Sequence, residues 1–156
     1  MWAPRSRREI GRYFAGLLDE LGFGASLRVL EDGPYFDRLL DRVDRPQIGV
    51  QGWFADYLSA SNFIEPHFGC EPSGALSAWN FTDLCDPGAR RRIEQALAAQ
   101  GAEAHEHWAA ADRRIVDLAP AVPLTSHRDV VFVSERVGNV QHHPKWLTLL
   151  DQLWVR

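Results

Sequence analysis

An aspartate stands among large aromatic residues in segment 52–63, which reads GWFADYLSASNF. The carboxylate of Asp56 can pair with an ammonium group, while Trp53, Phe54 and Tyr57 offer apolar walls and ring faces that attract a cation. This combination suits a pocket for a cationic or amino-bearing ligand. The pattern leaves a second interpretation open, in which Asp56 caps a turn at the end of a strand.

The sequence around this aspartate gives little support for acid–base catalysis or for metal binding. Asp56 has no second carboxylate, histidine or cysteine at a usable local spacing, although acid–base pairs and metal sites usually require one. The sequence also lacks GxSxG, P-loop, GxGxxG and HExxH motifs. We therefore predict no catalytic residue and no cofactor, and we expect that the chain is not an enzyme.

The histidines suggest a metal site only weakly. His105 and His107 are two positions apart, so on a helix they point in different directions and do not bind one ion together. We predict no metal ligand. A metal-handling protein remains open as a third function, and it would use His67, His142 and His143.

Composition limits the partners of the chain. Its 156 residues are 46% hydrophobic and 11% aromatic, which is enough for the core of one compact domain. The formal net charge of −4 gives no positive surface for nucleic acid or for an anionic membrane. We expect neither of these partners.

Export is the main question about location. The sequence has no apolar run of about 18 residues, so we expect no membrane span, and its start lacks the pattern of a secretory signal. Cys70 and Cys85 bracket a turn-rich segment and lack the CxxC spacing of structural zinc sites. A disulfide between them is possible, and it would imply export.

The first half of the chain alternates helix and strand patterns. Ser6-Arg7-Arg8-Glu9 predicts a capping box at the start of a first helix, which Gly22 ends. A short strand follows around residues 27–30, and Asp32-Gly33-Pro34 opens a second helix. A second strand is predicted at 48–50. The positions expected to face inward are Ile10, Tyr13, Phe14, Leu17, Leu18 and Leu21 on the first helix and Phe36, Leu39, Leu40 and Val43 on the second. This order is typical of an α/β layer with parallel strands.

The second half begins with a long loop at about 58–82. Asp86-Pro87 supplies an N-cap and a first-turn proline for a third helix that carries Ile93, Ala96 and Leu97 inward. A fourth helix is expected at about 103–118 with Trp108, Ala111, Ile115 and Leu118 inward. Val130, Phe132 and Val133 indicate a further strand, and the apolar tail at 146–155 needs to be covered.

Four segments in order resemble the family 5 extracellular solute-binding proteins of ABC importers, which serve oligopeptides, dipeptides, nickel chelates and related solutes. GWFADY followed by Asn62-Phe63 is similar to the family's GW-x-x-D-Y…NF segment. Residues 81–98, with Cys85-Asp86-Pro87, resemble its NPE helix start. APAVPL at 119–124 resembles APVVPLY, and LLDQLW at 149–154 resembles the closing LLDKLW.

The resemblance implies an α/β fold, namely the C-terminal lobe of a type II periplasmic-binding-protein-like fold. Residues 1–156 would form a single domain, with the second lobe at about 1–123 and residues 124–156 returning toward a first lobe that this chain lacks. The function implied is substrate binding for an ABC importer of peptides or similar small solutes, by lobe closure and without catalysis. The partners implied are that first lobe and a permease, in an extracytoplasmic location.

Site residues follow from the same resemblance. In peptide-binding members the aspartate of the GW-x-x-D-Y segment pairs with the ligand's α-ammonium group, a position that Asp56 occupies here. The expected ligand-binding residues are Asp56, Trp53, Tyr57, Phe54 and Asn62, and a Cys70–Cys85 disulfide is expected. Leu58-Ser59-Ala60-Ser61 replaces the DP or EP that usually follows the Asp-Tyr.

A function of another class stays open beside transport. The chain would then be a sensor or a protein-interaction module derived from a solute-binding domain. Its apolar tail and the exposed face of the lobe would pair with another chain, and a homo-oligomer through that face is one form of this pairing.

Overall fold

A computed structural model describes residues 1–41, 44–126 and 128–156. Its first half is built on short parallel strands. β1 (Trp2–Pro4) pairs in parallel with β2 (Arg28–Leu30), with Trp2 opposite Arg28. On its other side Trp2 forms a parallel bridge with Gly49. The parallel arrangement predicted for this region is confirmed. The strand expected at 48–50 is present only as this bridge.

The start of the chain forms a strand that the sequence analysis does not predict. β1 lies between β2 and the bridged residue Gly49, so it is the central strand. The N–H of Trp2 donates to the Ile48 carbonyl at 2.9 Å, while the Met1 carbonyl accepts from the N–H of Arg28 at 3.0 Å. Trp2, Ala3 and Pro4 are all buried. A strand of three residues is too short to show the period-two alternation by which strands are recognised.

Two helices connect the strands. A 3-10 turn at Arg5–Arg7 leads into α1 (Arg8–Glu20), and α2 (Asp32–Leu40) follows β2. Gly22 has a φ of +86°, and the N–H of Phe23 donates to the Leu18 carbonyl. This is the left-handed glycine ending that the sequence predicts for α1.

The predicted capping box is wrong. No side chain caps the amino end of α1. The Ser6 hydroxyl instead donates to Asp32 Oδ1 at 2.9 Å, and Glu9 accepts from Arg8 and Arg12. The side chains of Ser6 and Glu9 therefore bind Asp32, Arg8 and Arg12 in place of the free backbone amides of the helix start.

Burial on the first two helices also differs from the expectation. Tyr13 is 67% exposed and Leu21 is 65% exposed, whereas Gly11 is the buried residue of α1. On α2 the buried residues are Tyr35 and Leu39, while Leu40 is exposed. Val43 lies outside the described residues. The small core of this half combines Trp2, Tyr35 and Leu39.

Helices form most of the second half. α3 (Ser61–Phe68) interrupts the loop predicted at 58–82, α4 spans Pro87–Ala98 and α5 spans Gly101–Leu118. The core between them contains Ile93, Ala96, Trp108 and Ala111. Leu97 and Leu118, which were expected to face inward, are exposed.

Asp86 fixes the start of α4, as predicted. Its carboxylate accepts from the N–H of Ala89 at 2.7 Å, and Pro87 occupies the first turn. Arg114 of α5 donates to both carboxylate oxygens, at 3.0 and 2.9 Å. The hydrogen bonds from Arg114 hold the pKa of Asp86 down at about 2. The cap thus also joins α4 to α5.

The chain ends in short antiparallel pairs. β3 (Val137–Gly138) pairs with β6 (Trp154–Val155), and β4 (His142–His143) pairs with β5 (Leu147–Thr148). The strand predicted at 130–133 is wrong, because this apolar segment has no strand partner among the described residues and its side chains at 130 and 132 are 95% and 96% exposed. Within the described ranges no helix has the length and apolar character needed to cross a bilayer.

Candidate ligand-binding site

The segment that carries Asp56 starts at the carboxyl end of the bridged strand at 48–50. Val50 is buried, and its carbonyl accepts a hydrogen bond of 2.7 Å from the Tyr35 hydroxyl. Burial raises the pKa of Tyr35 to about 12, so the hydroxyl remains a donor at neutral pH. In open α/β sheets, ligands bind outside the carboxyl ends of the strands. The segment is therefore anchored at the edge where a ligand is expected.

Asn62 joins the two ends of segment 53–62, which we call the aspartate loop. Its side-chain oxygen accepts from the backbone N–H of Asp56 at 2.8 Å and from the indole N–H of Trp53 at 3.2 Å. Its amide nitrogen lies 3.4 Å from Asp56 Oδ2. Asn62 itself is 4% exposed. The first turn of α3 thus fixes both the backbone and the orientation of Asp56.

Three rings pack beneath this loop. Trp53 contacts His67 edge-to-face at a centroid distance of 4.6 Å and lies 5.6 Å from Trp79. His67 Nδ1 lies 3.0 Å from the Gln51 side-chain nitrogen and 3.2 Å from the Trp79 carbonyl. We call Trp53, His67 and Trp79 the aromatic cluster.

His67 is held in an environment that disfavours its charged form. Its Nε2 is buried and has no hydrogen-bond partner among the described residues. Burial lowers the pKa of His67, and the bond to the Trp79 carbonyl offsets only part of this effect. His67 therefore contributes to the site as a neutral ring.

The Cys70–Cys85 disulfide closes the loop that supplies Trp79. The two Cα atoms are 5.6 Å apart. Within the loop, the fully buried Asn80 donates to the carbonyls of Gly69 and Leu84, one beside each cysteine. The covalent bond and the amide therefore hold the same two ends of the loop together.

Asp56 is exposed, and no cationic group of the described residues pairs with its carboxylate. Phe54 is 74% exposed and Tyr57 is 50% exposed, with the Tyr57 hydroxyl accepting from Ser61 Oγ at 3.2 Å. Trp53 is half-buried. The predicted residues thus lie together. Asp56, Phe54 and Tyr57 are open to solvent, while Asn62 is enclosed.

A cleft of about 600 Å³ lies next to this loop. It is bordered by Leu58 to Ser61 on one side and by the α4–α5 turn on the other, with Trp108 among its lining residues. The cleft is open to solvent. Its lining begins at Leu58, so Asp56 and Tyr57 lie beside the cleft and do not line it.

The histidines do not form a shared centre in the part of the chain that the structure describes. No group of three histidine, cysteine, aspartate or glutamate side chains there has a geometry that could hold a metal ion. His67 belongs to the aromatic cluster, while His142 and His143 lie in β4. The cysteines are paired with each other.

Solved structures of known proteins include chains that share the fold of this chain. The chain is similar in fold to part of an oligopeptide-binding protein. The match is to clavulanic acid biosynthesis oligopeptide binding protein 2, with a TM-score of 0.77 and 23% sequence identity. It covers 99% of this chain and 30% of that protein, so the chain spans less than a third of the neighbour's length. No protein-family model and no curated protein sequence matches the chain.

Sequence reasoning missed the support beneath the loop. His67 was considered only as a possible metal ligand, and Trp79 and Gln51 were not considered at all. Gln51 and Trp79 lie 16 and 12 positions from His67 along the chain. The available signal was the cysteine pair, because a disulfide at 70 and 85 brings the segment between them back toward α3.

Proposed function

We propose that this chain is a ligand-binding lobe of a solute-binding protein that serves an ABC importer, with peptides or similar small solutes as ligands. The observation that carries the proposal is the Asp56 carboxylate, which is exposed, unpaired among the described residues and held in place by Asn62. A fixed carboxylate without a cationic partner is suited to receive one from a ligand. The fold likeness to an oligopeptide-binding protein supports the same function.

The ligand's ammonium group is the partner proposed for Asp56. A charge-assisted hydrogen bond between the two is stronger where water is excluded, because the effective dielectric constant falls. Closure of a second lobe over the site would exclude this water. Binding then needs no bond to be made or broken in the ligand.

The neighbouring side chains have different proposed roles. Phe54 and Tyr57 are exposed rings that can form the apolar walls and attract the cation. Trp53 supplies a half-buried wall whose indole N–H is already used by Asn62. Asn62 acts by positioning Asp56, since its own amide is buried and engaged within the chain.

The wider setting follows from the same proposal. The opposite wall of the cleft would come from a first lobe, and a permease would receive the loaded protein. The disulfide supports an extracytoplasmic location, because such bonds persist mainly in oxidising compartments.

Isothermal titration calorimetry with trialanine and N-acetyl-trialanine tests the function. The protein is the native gene product that contains this chain. We expect binding of trialanine and at least about tenfold weaker binding of the acetylated form, as expected for the loss of a hydrogen bond to a charged group. Equal affinity for the two forms would contradict the ammonium site.

A further inference from the structure

Helix α1 has an apolar side that is wider than its contact with the sheet. From Tyr13 round to Ala15, this side spans about 200° of the helix surface, whereas one buried face typically needs about 100°. The sheet occupies the part at Gly11, where an added β-carbon would lie 2.7 Å from the β-carbon of Ala3. The apolar residues on this side are Ile10, Gly11, Tyr13, Phe14, Ala15, Leu17 and Leu18, with Leu21 directly after the helix. The sequence of α1 therefore provides for a second contact.

Tyr13, Leu17 and Leu21 form the part of this side that the sheet does not cover, and we call them the α1 row. They follow each other at intervals of four, so they lie along one line of the helix. All three are exposed. The solvent side of α1 is a separate arc that carries its charges, namely Arg8, Glu9, Arg12, Asp19 and Glu20. The α1 row is thus apolar and is left open by the described part of the chain.

Strand β2 leaves a second surface open. Among the described residues it pairs only with β1, so its other edge is free. Because the N–H of Arg28 donates to β1, the N–H of Val29 points toward that free edge. Val29 pairs with Ala3, so the two side chains lie on the same face of the sheet. Ala3 is fully buried there by α1, yet Val29 is 42% exposed.

We propose that one further strand–helix unit of the same polypeptide, from outside residues 1–156, covers both surfaces. Its strand extends the sheet in parallel at the free edge of β2, and its helix packs on the α1 row. Strands of a parallel sheet are joined by crossover helices that cover the faces of the sheet, so one unit supplies both elements. The inference concerns the lobe itself and does not depend on the ligand proposed above.

Two observations favour this occupant over a second copy of the chain. The β1–β2 pairing is parallel, whereas a two-fold axis between two copies would set their β2 edges antiparallel. The part of the fold neighbour that matches this chain is 30% of its length, which leaves room for a further unit in a protein of that kind. A sheet of two strands is also smaller than the usual four to six.

The test uses the native gene product, with Tyr13→Glu as the test variant and Val116→Glu as its matched control. Within residues 1–156 the two side chains are similarly exposed, at 67% and 60%. Each also follows an acidic residue four positions earlier on its helix, Glu9 or Asp112. Thermal unfolding compares the two variants with the wild type.

Three measurements on the wild type accompany the variants. Hydroxyl-radical labelling compares Tyr13 in the folded and in the urea-unfolded protein. Hydrogen exchange resolved to single residues follows the N–H of Val29. Light scattering and intact mass give the number and the length of the chains in each particle.

We expect Tyr13→Glu to lower the unfolding temperature by at least about 5 °C, because a covered site would receive a charge, and Val116→Glu to lower it by less than about 2 °C. In the wild type, folding should protect Tyr13 from labelling. The N–H of Val29 should exchange at least about a hundredfold more slowly than an open amide. The particle should be one chain longer than residues 1–156.

The inference is overturned if Tyr13 is labelled equally fast in the folded and unfolded protein, if Val29 exchanges freely, or if the two substitutions have equal effects. The wild-type measurements decide the matter even where Tyr13→Glu does not fold. A dimer that Tyr13→Glu converts to monomers, or a gene product of residues 1–156 alone, also overturns it, and the dimer would assign the α1 row to a second copy.

Discussion

At the scale of single residues, Asn62 fixes the positions of Asp56 and Trp53 relative to each other. Its side-chain oxygen accepts from two different donors of the aspartate loop, the Asp56 backbone and the Trp53 indole. The side-chain nitrogen of Asn62 also lies 3.4 Å from Asp56 Oδ2. The geometry of Asp56 therefore depends on a residue that the ligand does not have to touch.

Replacing Asn62 with alanine should lower the free energy of unfolding by about 2 kcal/mol, because two partly buried donors lose their acceptor. Urea unfolding measures the change. Gln100→Ala is the control, since Gln100 is an exposed amide that makes no capping bond to α5. An Asn62→Ala protein as stable as the control would show that the loop is held by other contacts.

His67 predicts a dependence of stability on pH. Burial lowers its pKa in the folded state, so the folded protein binds fewer protons than the unfolded chain. The stabilising contribution is complete above the unfolded value of about 6.5 and declines as the pH falls below it. Urea unfolding at pH 7 and pH 5 should show this loss in the wild type.

The matched variants for that measurement are His67→Gln and His105→Gln. His105 is exposed on α5 and should leave the pH dependence unchanged. His67→Gln should reduce it, because the titrating group is gone. An unchanged decline between pH 7 and pH 5 in His67→Gln would assign the effect to other groups.

Single residues differ in how far the sequence predicts them. Asp56 and its aromatic neighbours are adjacent in sequence, so a pocket for a cation could be predicted from local pattern. The role of His67 depends on Trp53, Gln51 and Trp79, which come together only through α3 and the disulfide loop. The spacing of these residues in the sequence does not predict their contacts.

At the scale of elements, α1 packs on the central strand through a glycine. A β-carbon at Gly11 would lie 2.7 Å from the β-carbon of Ala3 and 2.9 Å from a methyl of Leu27. Gly16, one and a half turns further along the same helix, has no atom within 4 Å of that position. Alanine substitutions at the two glycines therefore distinguish the effect of close packing on stability from the effect of helix propensity.

Alanine at these two positions should have opposite effects on stability. Gly11→Ala should destabilise the protein by about 1–3 kcal/mol through overpacking against β1. Gly16→Ala should stabilise it by about 0.5–1 kcal/mol, because alanine loses less conformational freedom in a helix. Urea unfolding of both variants makes the comparison. Stabilisation by both would mean that α1 does not pack closely on β1.

Helices were predicted better than strands for a physical reason. Helices α4 and α5 are long enough to show a repeat of apolar residues, and Asp86-Pro87 marks where α4 begins. Strands of two or three residues show no repeat. The apolar segment at 130–133 has strand-like composition but no strand partner in the described part of the chain. Pairing depends on residues distant in sequence, which a local pattern does not include.

At the scale of the whole molecule, the site is assembled from distant parts of the chain. Tyr35 of α2 anchors the strand end, and Asn62 of α3 holds the loop. The disulfide loop supports it from below through Trp79. Sequence alone placed Asp56 in a cleft only through the resemblance to a family, since no local pattern brings these elements together.

The central claim is that Asp56 receives the ammonium group of a ligand, and a double comparison tests it most directly. Calorimetry on wild type and Asp56→Asn, each with trialanine and N-acetyl-trialanine, measures the coupling between the carboxylate and the amino group. We predict that the substitution weakens binding of trialanine at least about tenfold and leaves the acetylated peptide nearly unchanged. Equal losses for both peptides would contradict the account.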